Sequence, residues 1–139
     1  GNNMSKILEE MRSQYIQSMK NKDNLRKNLL STLIGMIEQE KKPNVDLTDN
    51  MILDKINSFK KKAIELIQIY EDKGNIEQLK DAQDELDIIN SYLPKQLSID
   101  EMNKIISDNN LSTKKDIMQF FKQNYSNQYD GKTLSNLCG

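Results

Sequence analysis

Tyr92-Leu93-Pro94-Lys95-Gln96-Leu97-Ser98-Ile99-Asp100-Glu101 is the stretch on which the reading of this chain turns. Pro94 has no N–H to donate, so a helix arriving from its N-terminal side stops there. Ser98 and Glu101 then stand at the spacing of a capping box, in which the serine hydroxyl and the glutamate carboxylate each satisfy the other's backbone N–H. Leu97 and Met102 occupy the two apolar positions that clamp such a start. One helix therefore ends and another begins within a few residues. The segment is expected to divide the chain into an N-terminal helical domain, 4–93, and a small C-terminal helical domain, 94–139. Tyr92, Leu93 and Pro94 are the expected interdomain hinge.

Upstream, the helix ending at this boundary carries Leu79, Ala82, Leu86, Ile89 and Leu93. It opens at Asn75-Ile76-Glu77-Gln78, a variant of the capping box, directly after Gly74. A glycine accepts the left-handed backbone that ends helices. The preceding run, Ile52, Ile56, Phe59, Ala63, Leu66, Ile67 and Tyr70, advances in threes and fours from a cap at Thr48 or Asp49. Two long helices meeting across one glycine predict an antiparallel hairpin. Further upstream, Ile7, Met11, Tyr15 and Met19, with Leu8, predict a first helix, and Asn21 to Asn24 a break. Leu25, Leu29, Leu30, Leu33, Ile34 and Ile37 predict a second, with Lys41 and Lys42 set to answer its C-terminal dipole before Pro43. Gly1-Asn2-Asn3 reads as a remnant ahead of a natural start at Met4.

Downstream, Met102, Ile105 and Ile106 mark a fifth helix, and Ile117, Phe120 and Phe121 a sixth that begins at Thr113. Ser126 to Gly131 reads as a polar loop, and Leu134 and Leu137 as a short last helix. The expected fold is all-α: an N-terminal domain with a long antiparallel hairpin and a small C-terminal domain of three helices.

Composition agrees. The chain has 139 residues, 36% hydrophobic and 29% charged, but 5 glycines and 2 prolines, too few for the turns of an all-β domain. No apolar run approaches the ~20 residues of a membrane span, and no apolar leader precedes the first helix. Cys138 is the one cysteine, which excludes an intrachain disulfide and suits a cytoplasmic setting. The net charge of -1 gives no global pull towards DNA or a membrane.

Chemistry is sparse. The chain has no histidine, which removes the commonest general base and metal ligand. Gly35, Gly74 and Gly131 are isolated, so no phosphate-cradling loop is present. Cys138 reads as an exposed tail thiol without an activator. No catalytic residue, metal ligand or cofactor is assigned. Asp84 and Asp87 share a helical face and suit either a hard cation or plain solvent. Lys55 and Lys60-Lys61-Lys62 offer either an anion or RNA contact or a basic face answering the acidic stretch Glu71 to Asp87. Lys95, Lys114, Lys115 and Lys132 are the RNA-binding candidates. Lys114 and Lys115 open a helix, where backbone N–H groups also favour phosphate. Tyr125 and Tyr129 suit either base stacking or helix-end packing.

Two stretches resemble a known family. One runs from Tyr70-Glu71-Asp72-Lys73-Gly74 through Glu85-Leu86-Asp87-Ile88-Ile89 to Tyr92-Leu93-Pro94-Lys95-Gln96-Leu97. The other is Asp23 to Ile37, with Arg26, Leu30, Leu33 and Ile37. Both resemble the YqeY-like family, which is similar to the tail domain of the GatB subunit of glutamyl/aspartyl-tRNA amidotransferase, a carbon-nitrogen ligase with glutamine as amido-N-donor. Ser31, Ala82 and Met118 depart from the arginine, acid and glycine expected of relatives. The resemblance implies two helical domains and an accessory module that binds tRNA rather than catalysing. Its implied partners are tRNA and an amidotransferase or aminoacyl-tRNA-related protein. The residues alone also allow a helical protein–protein interaction module docking on a partner enzyme.

Overall fold

The structure, a computed structural model, describes residues 5–139. Met4, read above as the natural start, lies outside the described residues. Seven helices and no strand occur among the described residues, so the fold is all-α. They are α1 (Lys6–Lys20), α2 (Asn24–Glu38), α3 (Asp49–Lys73), α4 (Ile76–Asn90), α5 (Ile99–Asp108), α6 (Lys114–Asn124) and α7 (Gly131–Leu137). The chain divides into two compact units, one ending at Tyr92 and one beginning at Leu93.

In the first unit every helix start is a side-chain cap. Ser5, Asp23, Thr48 and Asn75 each accept a backbone N–H from the first turn, satisfying donors that a helix leaves open. The Ser5 hydroxyl also donates to Asp49, tying the starts of α1 and α3 together. Gly74 ends α3 at φ 67, a left-handed backbone that costs glycine little and other residues more. At Asn75 the capping-box variant takes a different form: the Gln78 side chain accepts from the Asn75 side-chain amide, not from its backbone. The Asn75 backbone N–H goes instead to Tyr70 O at 3.0 Å.

The core forms where α2 meets α1, α3 and α4. Leu29, Leu30, Leu33 and Ile37 are its centre, as their spacing predicts. Two expected stripes are placed differently. Along α1 the buried positions are Leu8, Met11 and Ser18, while Met19 is 46% exposed. Steps of four residues rotate about 40° against a repeat of 3.6, so a stripe of fours walks off the buried face by Met19. Along α3 only Ile52 and Ile56 are buried. At 25 residues α3 outruns the 15-residue α1 and α2, and its second half packs on α4. Helix α2 stops at Glu38, before Lys41 and Lys42 reach its last turn. Lys41 instead closes the following loop by donating to Lys42 O at 3.0 Å and to Val45 O.

The second unit is built on Met102, Ile117, Phe121 and Leu134, ringed by partly buried Leu97, Ile105, Ile106, Phe120, Tyr125 and Tyr129. Both halves of the capping box are made: Glu101 N–H to Ser98 Oγ at 3.1 Å, and Ser98 N–H to Glu101 Oε1 at 2.9 Å. Met118, the expected glycine position, packs on this core. Cys138 is not the exposed thiol expected of a chain tail. It is half-buried against the core, with its Sγ donating to Leu134 O at 3.2 Å. Because Ser98 sets the first turn of α5, Ser98→Ala should destabilise this unit by about 1 kcal/mol, and Ser98→Asp by much less. Urea unfolding followed at α5 resonances measures the difference.

Candidate functional site

The expected RNA-binding lysines all belong to the second unit, and its local bonds place them in two pairs. Leu97 N–H donates to Gln128 O at 2.7 Å, and Gln96 Nε2 to Asn127 O at 2.8 Å. These bonds hold the Lys95 segment against the loop that leads into α7, whose second residue is Lys132. Lys114 and Lys115 open α6 instead. The 11 residues of α6 set them about 16 Å from that loop. Thr113 already caps α6 through the Asp116 N–H, and Asp116 adds a negative charge to the same turn. All four lysines are exposed, and none joins an ion pair among the described residues; in this unit Lys104 and Asp108 pair at 3.0 Å. Lys95 also acts on Glu101, whose carboxyl is held below its usual range by the Ser98 backbone and side-chain bonds first and by the Lys95 charge to a smaller degree.

The tyrosines are structural. Tyr125 and Tyr129 lie with ring centroids 5.5 and 5.6 Å from Phe121. Burial also pushes the Tyr129 hydroxyl up. These ring contacts pack both tyrosines, partly buried, on the core.

The first unit holds a cavity that sequence reasoning did not single out. It is an open cleft of about 500 Å³ lined by Gln14, Asp23, Leu25, Arg26, Asp84, Asp87, Ile88 and Ser91. It forms where the end of α1, the start of α2 and the end of α4 come together. Asp23 does two jobs there. One oxygen accepts the Arg26 backbone N–H at 3.2 Å and caps α2, and the other lies 3.5 Å from Arg26 Nε. Beside the cleft, buried Tyr92 donates its hydroxyl to Gln14. Burial is the main reason its pKa is pushed up to about 12, with Arg26 opposing and Glu10 adding to the rise. Tyr92 thus stays neutral and acts as a fixed donor.

Three aspartates against one arginine make the cleft net negative. It suits a cationic or hydroxyl-bearing group better than a phosphate. Asp84 and Asp87 are part of this wall, and among the described residues no group of three or more acidic or cysteine side chains is placed to hold a metal ion. Arg26, Asp87, Ile88 and Tyr92 come from both stretches that carry the family resemblance, so the fold brings those stretches to one place. The signal in the sequence was Arg26, one of only two arginines, three residues after a helix-capping aspartate.

No ion pair among the described residues joins the basic face of α3 to the acidic face of α4. Lys55 pairs with Glu40 at 3.0 Å, while Lys60, Lys61 and Lys62 join no ion pair among the described residues. No helix among them is long and apolar enough to cross a membrane. A family model described as Yqey-like protein matches residues 8–138. No curated protein matches the chain.

Proposed function

The chain belongs to the YqeY-like family, and from that premise we propose that it is an accessory module of tRNA-dependent amidotransferase systems, binding tRNA rather than catalysing. In this reading it acts in the cytoplasm like the tail domain of a GatB subunit, helping to hold tRNA while a partner enzyme transfers the amide. The observation that carries it is the state of Lys95, Lys114, Lys115 and Lys132: exposed, without ion pairs, and on a unit whose six lysines outnumber its five carboxylate side chains. Exposed lysines that join no ion pair are placed to displace counterions from a phosphate backbone. In the same proposal α3 and α4 form a long antiparallel hairpin across Gly74, and Tyr92, Leu93 and Pro94 are the hinge between the units.

Gel shift with tRNA and with duplex DNA, at low and at moderate salt, tests this. The expected result is a tRNA complex at low salt that weakens steeply as salt rises, with no matching complex on DNA. Equal binding to both, or to neither, contradicts it.

The cleft around Arg26 favours a second reading, a docking module for a partner enzyme. Its net negative wall and its apolar Leu25 and Ile88 suit a lysine or arginine side chain from such a partner.

A further inference from the structure

The second half of α3 leaves apolar side chains in solvent. Leu66 is 40% and Ile69 45% exposed. Beside them, between α3 and α4, runs a shallow groove of about 190 Å³ lined by Leu66, Tyr70, Gln78, Asp81, Ala82 and Glu85. The α3 border of this groove reads Lys62, Leu66, Ile69, Lys73, with steps of four, three and four that keep all four within an arc of about 60°. The α4 border reads Glu77, Asp81 and Glu85, in steps of four. None of these charged groups has an ionic partner among the described residues. Glu85, in the groove, has its carboxyl pushed up by burial and, to a smaller degree, by Asp81. Among the described residues no cation forms an ion pair with that acidic wall.

An occupant of this groove must carry apolar side chains flanked by cations at helical spacing. The chain itself supplies one. We propose that the groove is a self-association face, in which the Lys62-Leu66-Ile69-Lys73 border of one copy lies over the Glu77-Asp81-Glu85 border of a second. A two-fold axis along the groove makes each border serve twice, since α3 of the second copy meets α4 of the first in the same way. The apolar residues are then covered between the copies, and both charge stripes gain partners. The face is short, at the low end of specific interfaces, so the dimer is weak and dissociates on dilution. This inference is independent of the RNA reading, because none of its residues belongs to the second unit.

Sedimentation equilibrium of the full chain over a range of concentrations, without RNA, tests it. The expected result is a monomer–dimer equilibrium at low salt that moves towards monomer as salt rises. Two charge-reversed variants, Lys62→Glu/Lys73→Glu and Glu77→Lys/Asp81→Lys, should each be monomeric, and an equal mixture of the two should recover a heterodimer. Leu66→Gln, a milder change, should weaken dimerisation about tenfold while circular dichroism shows unchanged helix content. A wild type that stays monomeric at every concentration overturns the proposal. So does a dimer that ignores both reversals, or a mixture of the reversed variants that stays monomeric.

Discussion

Replacing Phe121 with alanine is expected to unfold the C-terminal unit and leave the N-terminal unit standing. Phe121 is fully buried and is the largest of only four buried side chains in that core. Phe120, Tyr125 and Tyr129 pack their rings on it at 6.2, 5.5 and 5.6 Å. Removing a buried phenylalanine costs about 3–5 kcal/mol, through lost transfer energy and the cavity left behind. A core this small supplies roughly the same amount in total. The two tyrosines lose their packing partner as well, so the loop that holds Leu97 and Gln96 should come loose with them. Amide resonances of residues 93–139 should collapse to the narrow range of an unfolded chain, while those of α1 to α4 keep their dispersion. Phe121→Leu, which refills most of the space, should keep both sets dispersed. Dispersed resonances from both units in the alanine variant would contradict this account of the small core.

The second large effect is expected at Leu33. It is fully buried near the middle of α2, the helix that touches α1, α3 and α4. Leu33→Ala should cost about 2–5 kcal/mol. At a urea slope typical of small domains this lowers the midpoint of the first unit by roughly 2 M. The transition of residues 93–139 should not move, since each unit has its own core. A shift of both transitions together would mean that the units unfold as one.

What could be read in the sequence was mostly punctuation. Gly74, Ser98 with Glu101, and Thr113 each carry a local instruction that needs no tertiary partner, and each lies at the helix boundary it announces. The α2 stripe was equally legible because all its neighbours cover it. The α1 stripe was not, because steps of four and the true helical repeat diverge over three turns. Nor does spacing along α3 say where α1 and α2 stop covering it. Leu66 and Ile56 have the same pattern in sequence and opposite exposure in the fold. The cleft at Arg26 needed three helix ends to meet, which no local pattern encodes. Ala82, a departure from the acid expected of relatives, became intelligible only in place: it is 5% exposed on the groove floor, where a carboxylate would be desolvated. Cys138 was read by its place in a polar tail, yet the small core draws it in; for Tyr125 and Tyr129 the fold shows helix-end packing, one of the two roles their loop allowed.

The central claim is that the C-terminal lysines are the contact with RNA. Fluorescence anisotropy of labelled tRNA across a salt series, with the wild type and with Lys95→Gln/Lys114→Gln/Lys115→Gln/Lys132→Gln, tests it most directly. Four phosphate contacts on single-stranded RNA correspond to a slope of about -2.8 in log affinity against log salt. The account predicts a wild-type slope near that value and a nearly flat, much weaker isotherm for the quadruple variant. The same affinity and the same slope for both proteins would contradict it.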